Sequence, residues 1–427
     1  MSRCSWTLRV VPSFVFIFLV VGMCPAQSIP ARGRRLNRST LVGENAASVP
    51  LTRGKWAQFA EFLVPDSLSG ANSVGMSGNT VVVDNGFGNS AVSVYFLGGT
   101  SSPAAFLNLP NGMSATYNIA VAIDGDTVVV GLTGTPSQAY VYVKPPGGWT
   151  NMTPTATLTA TDGSEYFGGS VSISGNTIVV GDPDYVSTSA GAAYVYVKPA
   201  GGWTNMSQTA KLISSDGVAN DDFGTSVSIN GATIAIGADQ YLSELASGKA
   251  YVFVEPASGW TNMTETAELT ASGATNQEQI GWSIATDGNL VVVGAPAFFQ
   301  SASGKSYLFQ KPASGWINMT ETATFTAADG QNGAEFGSSV GVSGRIVVVG
   351  AGRRGSTPNN LQGGVYVFEE PASGWQNIAS NTVLTGSDAH YFDSVGVCLA
   401  MDGTALVAGS ERYSLPAAAY VFGLYGQ

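Results

Sequence analysis

Charge is scarce in this 427-residue sequence, where Lys, Arg, Asp and Glu together make up 11%. Histidine occurs once, at His390, and cysteine three times, at Cys4, Cys24 and Cys398. One imidazole excludes a multi-histidine zinc centre and makes any nucleophile–histidine triad depend on a single residue. No G-x-S-x-G, H-E-x-x-H or phosphate-loop pattern occurs either. Apolar runs are short. The longest, Val10–Met23, falls below the roughly 18 to 20 residues of a spanning helix. With Arg3 and Arg9 before it and Cys24-Pro25-Ala26 after it, the run predicts a signal peptide over residues 1–26, and hence export. Cleavage would leave Cys398 as the one cysteine, so an internal disulfide is excluded. Residues 27–53 contain Arg32, Arg34, Arg35, Arg38 and Arg53 with little apolar pattern, which predicts a flexible basic leader. From Gly54 onward, 11 basic residues face 28 acidic ones, a net of −17. That surface disfavours nucleic acid and anionic membrane as partners.

What the chain has in quantity is glycine, 54 residues of it, together with Ser, Thr, Val and Ala. Such a composition describes short strands joined by tight turns, an all-β class. The strands repeat. Trp149, Trp203, Trp260, Trp316 and Trp375 are spaced by 54, 57, 56 and 59 residues, and around them recur GGWTNMTPTATLTA, GGWTNMSQTAKLIS, SGWTNMTETAELTA and SGWINMTETATFTA. Each interval holds a Thr-rich strand, a Gly/Ser-rich strand, a β-branched run such as TIVVG, and an aromatic strand such as AYVYV. Weaker copies around GNTVVVD and GDTVVVG, and a last copy ending AAAYVFG, bring the number of units to seven.

Seven four-stranded units in a closed ring make a β-propeller over residues 54–427. The Gly/Ser-rich strands belong innermost, where seven strands crowd an axis, and the β-branched runs second, buried on both faces between blades. The chain starts with an outer-type strand, KWAQFAEFLVP (Lys55–Pro65), and stops after a third-type strand. The first strand is therefore expected to complete the last blade and close the ring. The repeated tryptophan is expected to cap the interface between neighbouring blades.

Phe167-Gly168, Phe223-Gly224 and Phe336-Gly337 precede the inner strands, and Gly294-Ala295-Pro296, Gly181-Asp182-Pro183, Gly237-Ala238-Asp239 and Gly350-Ala351-Gly352 end the second ones. This resembles the FG-GAP repeat of integrin α-subunit propellers and of exported bacterial proteins. In the first two units and the last the pattern is degraded, with Tyr117-Asn118 and Phe392-Asp393 in place of Phe-Gly. The resemblance implies a seven-bladed propeller, an extracellular setting, adhesion-type binding of proteins or matrix, and often calcium. Integrin blades hold calcium on Asp-x-Asp-x-Asp-Gly loops between the inner and second strands, whereas the turns here supply at most Asp124 with Asp126, or Asp287 and Asp402 singly.

Variation between units is concentrated in the loops from outer to inner strand and from second to third strand, which share one face. Its candidate partner-binding residues are Glu165, Tyr166, Asp182, Asp184, Tyr185, Asp221, Asp222, Asp239, Tyr241, Arg353, Arg354, His390 and Tyr391. Phe298, Phe299, Arg412 and Tyr413 lie in the same loops. Such groups suit an extracellular protein or glycan. No cofactor is expected, and the remaining calcium candidates are Asp182 with Asp184 and Asp221 with Asp222. Asn151, Asn205, Asn262 and Asn318 begin N-x-S/T triplets in the repeated phrase, as does Asn37 elsewhere, and in a eukaryotic secretory route they would accept glycans. The sequence reads as a monomeric, non-enzymatic binding propeller. Alternatives are a carbohydrate-active enzyme using paired carboxylates on the loop face, or a structural envelope module.

Overall fold

The computed structural model describes residues 27–28, 55–64, 71–86, 90–110, 119–185, 189–240, 246–298, 302–355, 361–380, 382–390, 392–411 and 416–425. The signal peptide, most of the leader, and Tyr117, Asn118, Tyr241, Phe299, Tyr391, Arg412 and Tyr413 lie outside them. Among the described residues there is no helix, and seven sheets form a ring. Each inner strand is hydrogen-bonded to a second, a third and an outer strand in turn. In blade 3 these are Ser170–Ser174, Thr177–Asp182, Ala192–Val197 and Ala210–Ile213. In blade 4 they are Phe223–Asn230, Thr233–Ala238, Lys249–Val254 and Ala267–Thr270.

Closure follows the expected route. Lys55–Leu63 pairs antiparallel with Ala418–Tyr425, from Lys55 opposite Tyr425 to Leu63 opposite Ala418. The N-terminal strand is thus the outer strand of blade 7. Gln27–Ser28 runs parallel to the inner strand of the same blade, with Gln27 beside Ala400.

Four other sheets also carry a fifth strand, supplied by the repeated phrase. Met206–Ser207, which follows Trp203, adds a fifth, parallel strand to the outer edge of blade 2. Met263–Thr264, Met319–Thr320 and Ile378–Ser380 do the same for blades 3, 4 and 5. An asparagine makes the join. The Oδ1 atoms of Asn151, Asn205, Asn262, Asn318 and Asn377 accept the backbone N–H of Phe106, Thr157, Lys211, Glu268 and Thr324 at 2.8 to 2.9 Å. Each of these donors belongs to the outer strand of the preceding blade. Asn377 stands in Asn-Ile-Ala, outside any glycosylation triplet, so stapling alone accounts for asparagine at this place. Four residues on, the hydroxyls of Thr155, Thr209, Thr266 and Thr322 accept the N–H of the last residue of each third strand, Val143, Val197, Val254 and Gln310.

The core is divided among the interfaces between blades. Trp203 is buried with residues of blades 2 and 3, Trp260 with blades 3 and 4, and Trp375 with blades 5 and 6. Trp56, from the closing strand, packs against the cluster between blades 6 and 7. The N-terminus therefore supplies a tryptophan as well as a strand.

Candidate functional site

The family signature is a set of contacts across these interfaces. A Cβ on Gly181, Gly237, Gly294 or Gly350, at the end of a second strand, would stand 2.0 to 2.1 Å from the carbonyl oxygen of Gly224, Gly281, Gly337 or Gly396 in the next blade. Those partner glycines have φ between +90° and +103°, a region closed to most side chains. A serine completes each contact, since the hydroxyls of Ser170, Ser226, Ser283 and Ser339 donate to the same four oxygens at 2.6 to 2.9 Å. At the ring closure the set is altered. Gly409 meets the carbonyl of Ala71, whose φ is 61°, and Cys398 donates its S–H to that oxygen at 3.3 Å. Cys398 thus occupies the serine position.

The turns where integrins hold calcium also join blades here. Gly78, Gly175 and Gly344 donate backbone N–H to Asp402, Asp124 and Asp287 of the preceding blade at 2.5, 2.6 and 3.2 Å.

On the opposite face the loops are pinned by a latch that recurs in five blades. The hydroxyls of Tyr194, Tyr251, Tyr307, Tyr366 and Tyr420, all on third strands, donate to Asp162, Asp216, Glu278, Asp329 and Asp388 in the preceding outer-to-inner loops. Lys211, Lys249, Lys305 and Arg354 join the first four. The Lys211 hydrogen bond holds the Asp162 carboxyl below the usual carboxylate range. Burial works against Asp216 and Glu278, yet their Lys and Tyr partners keep both low. Arg354 therefore serves loop architecture through Asp329 and Tyr366.

The other candidate residues separate into three environments. Asp182, Asp184 and Asp221 are engaged within their loops. Asp182 accepts the backbone and side chain of Ser164, Asp184 accepts Ser189 Oγ at 2.6 Å, and Asp221 accepts Val218 N at 2.8 Å and Gln240 Nε2 at 2.7 Å. Burial raises the Asp182 carboxyl. Glu165 and His390 are exposed, and Arg353, half-buried, pairs with the buried Glu335 at 3.1 Å. Burial pushes Glu335 up to about 7, with Arg353 opposing it.

The third environment joins Tyr185 to Asp222 and Asp239. Asp222 precedes Phe223 and Asp239 follows Ala238, and Phe223 pairs with Ala238 across the ladder. The two carboxylates therefore sit side by side at the loop end of blade 4, exposed 0% and 1%. Tyr185 reaches over from blade 3, its hydroxyl 2.9 Å from Thr225 Oγ1 and its ring edge-on to Tyr166 at 5.2 Å. Burial pushes Asp239 up to about 7. Burial, then Asp239 and Asp222, hold the Tyr185 hydroxyl well above the usual phenol range. From sequence Asp222 is paired with Asp221 and not with Asp239, because the ladder joins positions 17 residues apart. A strand register places them together.

A rigid ring with one repetitive face and one variable face is a propeller of the binding type. Residues 152–196, 206–253, 263–309 and 319–368 match the family model of the FG-GAP repeat, each stretch running from the methionine after the stapling asparagine into the third strand. The chain is an FG-GAP repeat protein, in which three further blades extend the matched four into a ring. A search among curated proteins finds no match. Among the described residues no helix is long and apolar enough to cross a membrane.

Proposed function

We propose that this protein is exported and binds an extracellular protein or glycan through its loop-bearing face. The carrying observation is the contrast between the two faces. One is built from recurring turns and asparagine staples. The other holds nearly all blade-to-blade differences on loops fixed by the tyrosine latches, the arrangement that gives a rigid scaffold its specificity. Exposed groups of several kinds share that face, among them Glu165, His390, Val218 at 62% exposure and Phe392 at 44%. FG-GAP repeats are typical of extracellular proteins, which supports the setting. Asp182 and Asp221 commit their oxygens to loop groups. This favours binding over hydrolysis by paired acids, which needs carboxylates open to substrate.

The test is a panel of immobilised glycans and matrix proteins, probed with the intact chain and two variants. E165A/H390A on the loop face should weaken capture at least tenfold, and D126A on the opposite face should leave it unchanged. Equal loss in both, or no capture by any panel member, would refute the reading.

A further inference from the structure

Each inner strand leaves one edge facing the axis of the ring, and in blade 7 that edge is used. Gln27–Ser28 runs parallel to it, with Gln27 opposite Ala400 and Ser28 opposite Met401, and lies beside the inner strands of blades 4, 5 and 6 as well. A segment of the chain itself therefore occupies the axial channel. The register sets its direction, since Ser28 stands one position short of Asp402, where the inner strand ends and the face of recurring turns begins. The closing strand starts on that same face. Asp402, Ala405, Gly423 and Ala57 lie in one row across blade 7, and Lys55 is two residues beyond Ala57. Three strand spacings, about 15 Å, separate the ends of this row, a fraction of what residues 29–54 can reach.

Charge around that mouth has one sign. Turn glycines donate backbone N–H to a side chain of the preceding blade, and the acceptors are Ser77, Asp124, Ser174, Asp287 and Asp402. The three carboxylates are half-buried, and among the described residues no Lys or Arg forms an ion pair with any of them. Burial raises the Asp402 carboxyl, and the charge of Asp124 adds to the rise, so these two acids feel each other across the mouth. The opposite sign comes where the chain leaves the channel. Arg32, Arg34, Arg35 and Arg38 begin four residues after Ser28. We propose that residues 29–38 dock on the turn face, their four arginines meeting Asp124, Asp287 and Asp402 at the mouth through which the chain emerges. Single ion pairs at a surface are weak, but several act together when the segment is tethered to blade 7 at both ends. The contact lies opposite the variable loops, so it stands whatever those loops bind.

Trypsin digestion of the full chain is followed by mass spectrometry at low and high salt, about 20 and about 500 mM sodium chloride, the second of which screens surface charge. At low salt, cleavage after Arg32, Arg34, Arg35 and Arg38 should be at least about fivefold slower in the parent than in D124N/D287N/D402N, and high salt should remove the difference. Asparagine keeps the acceptor that each turn glycine uses, and blade 4 already has it at this place, as Asn230 before Gly231. The variant should therefore fold, as circular dichroism checks. R35K, in an otherwise unchanged chain, gives a carbodiimide an amine to join to a carboxylate, and the cross-link should fall on Asp124, Asp287 or Asp402. Equal cleavage rates at low salt would overturn the proposal. So would a cross-link confined to acids of the loop face, or none at all.

Discussion

At the scale of single residues, many positions that vary little between units prove to be contacts between blades. Cys398 shows this most simply. It stands where Ser170, Ser226, Ser283 and Ser339 stand, and bonds a backbone oxygen of the next blade as they do. Cys398→Ser should therefore be neutral or stabilising, because a hydroxyl is the better donor. Cys398→Val should cost about 1 to 2 kcal/mol in urea unfolding, by leaving the Ala71 oxygen unpaired. Gly237→Ala sets a methyl 2.0 Å from the Gly281 oxygen, and should cost about 3 kcal/mol in the same measurement. Asn205→Ala removes one acceptor at an exposed edge and should cost roughly 0.5 to 1 kcal/mol. Tryptophan at the interfaces was readable from its period. The work of the asparagine was not, since a glycosylation triplet and a staple use the same letters. Only the register of Met206–Ser207 against Leu158–Thr159 separates the two.

At the scale of elements, the strand Lys55–Leu63 does three things for blades 6 and 7. It supplies the outer ladder of blade 7, packs the half-buried Trp56 against the 6/7 interface, and accepts Ser387 N on Gln58 Oε1 at 2.8 Å. Gln208, Glu265 and Glu321 accept the equivalent N–H in other blades. Trp56→Ala should cost about 2 kcal/mol. In hydrogen exchange it should deprotect Ala418–Tyr425 first while leaving Ala192–Val197 unchanged. The strand's role was legible because the chain starts and stops at complementary points of the repeat. Its tryptophan was not, because only three residues separate Trp56 from Ala60, which pairs with Val421, whereas six separate Trp203 from Ala210. The shortened spacing hides the phrase.

At the scale of the whole molecule, the acidic chain buries several carboxylates, and this fixes the sign of its pH dependence. Burial raises Asp84, Asp239 and Glu335 to about 7, from ordinary values of 3.8, 3.8 and 4.5. Burial also raises Asp182, Asp402 and Glu411. Between about pH 4 and pH 7 the folded chain keeps protons that the unfolded chain has released, so stability falls as pH rises through that window. Asp162, Asp216 and Glu278 act in the other direction. Their folded values lie low, and the stability they give is lost as pH drops below the unfolded values. Thermal melts in EDTA should thus peak near pH 4 to 5, with Tm at pH 8 lower by at least about 3 °C. A rising Tm from pH 5 to pH 8 would contradict the buried acids.

Because the last sheet is finished by Lys55–Leu63, a segment synthesised before six of the blades must wait for one synthesised after them. Until Ala418–Tyr425 has been synthesised, Trp56 and the apolar side of its strand have no native place to go. Six blades' worth of nascent chain therefore carries an open seam, a condition that invites pairing with another unfinished copy. Loss of Ala418–Tyr425 should therefore be punished more than 350 residues away in sequence, by leaving Lys55–Leu63 sticky and unattached.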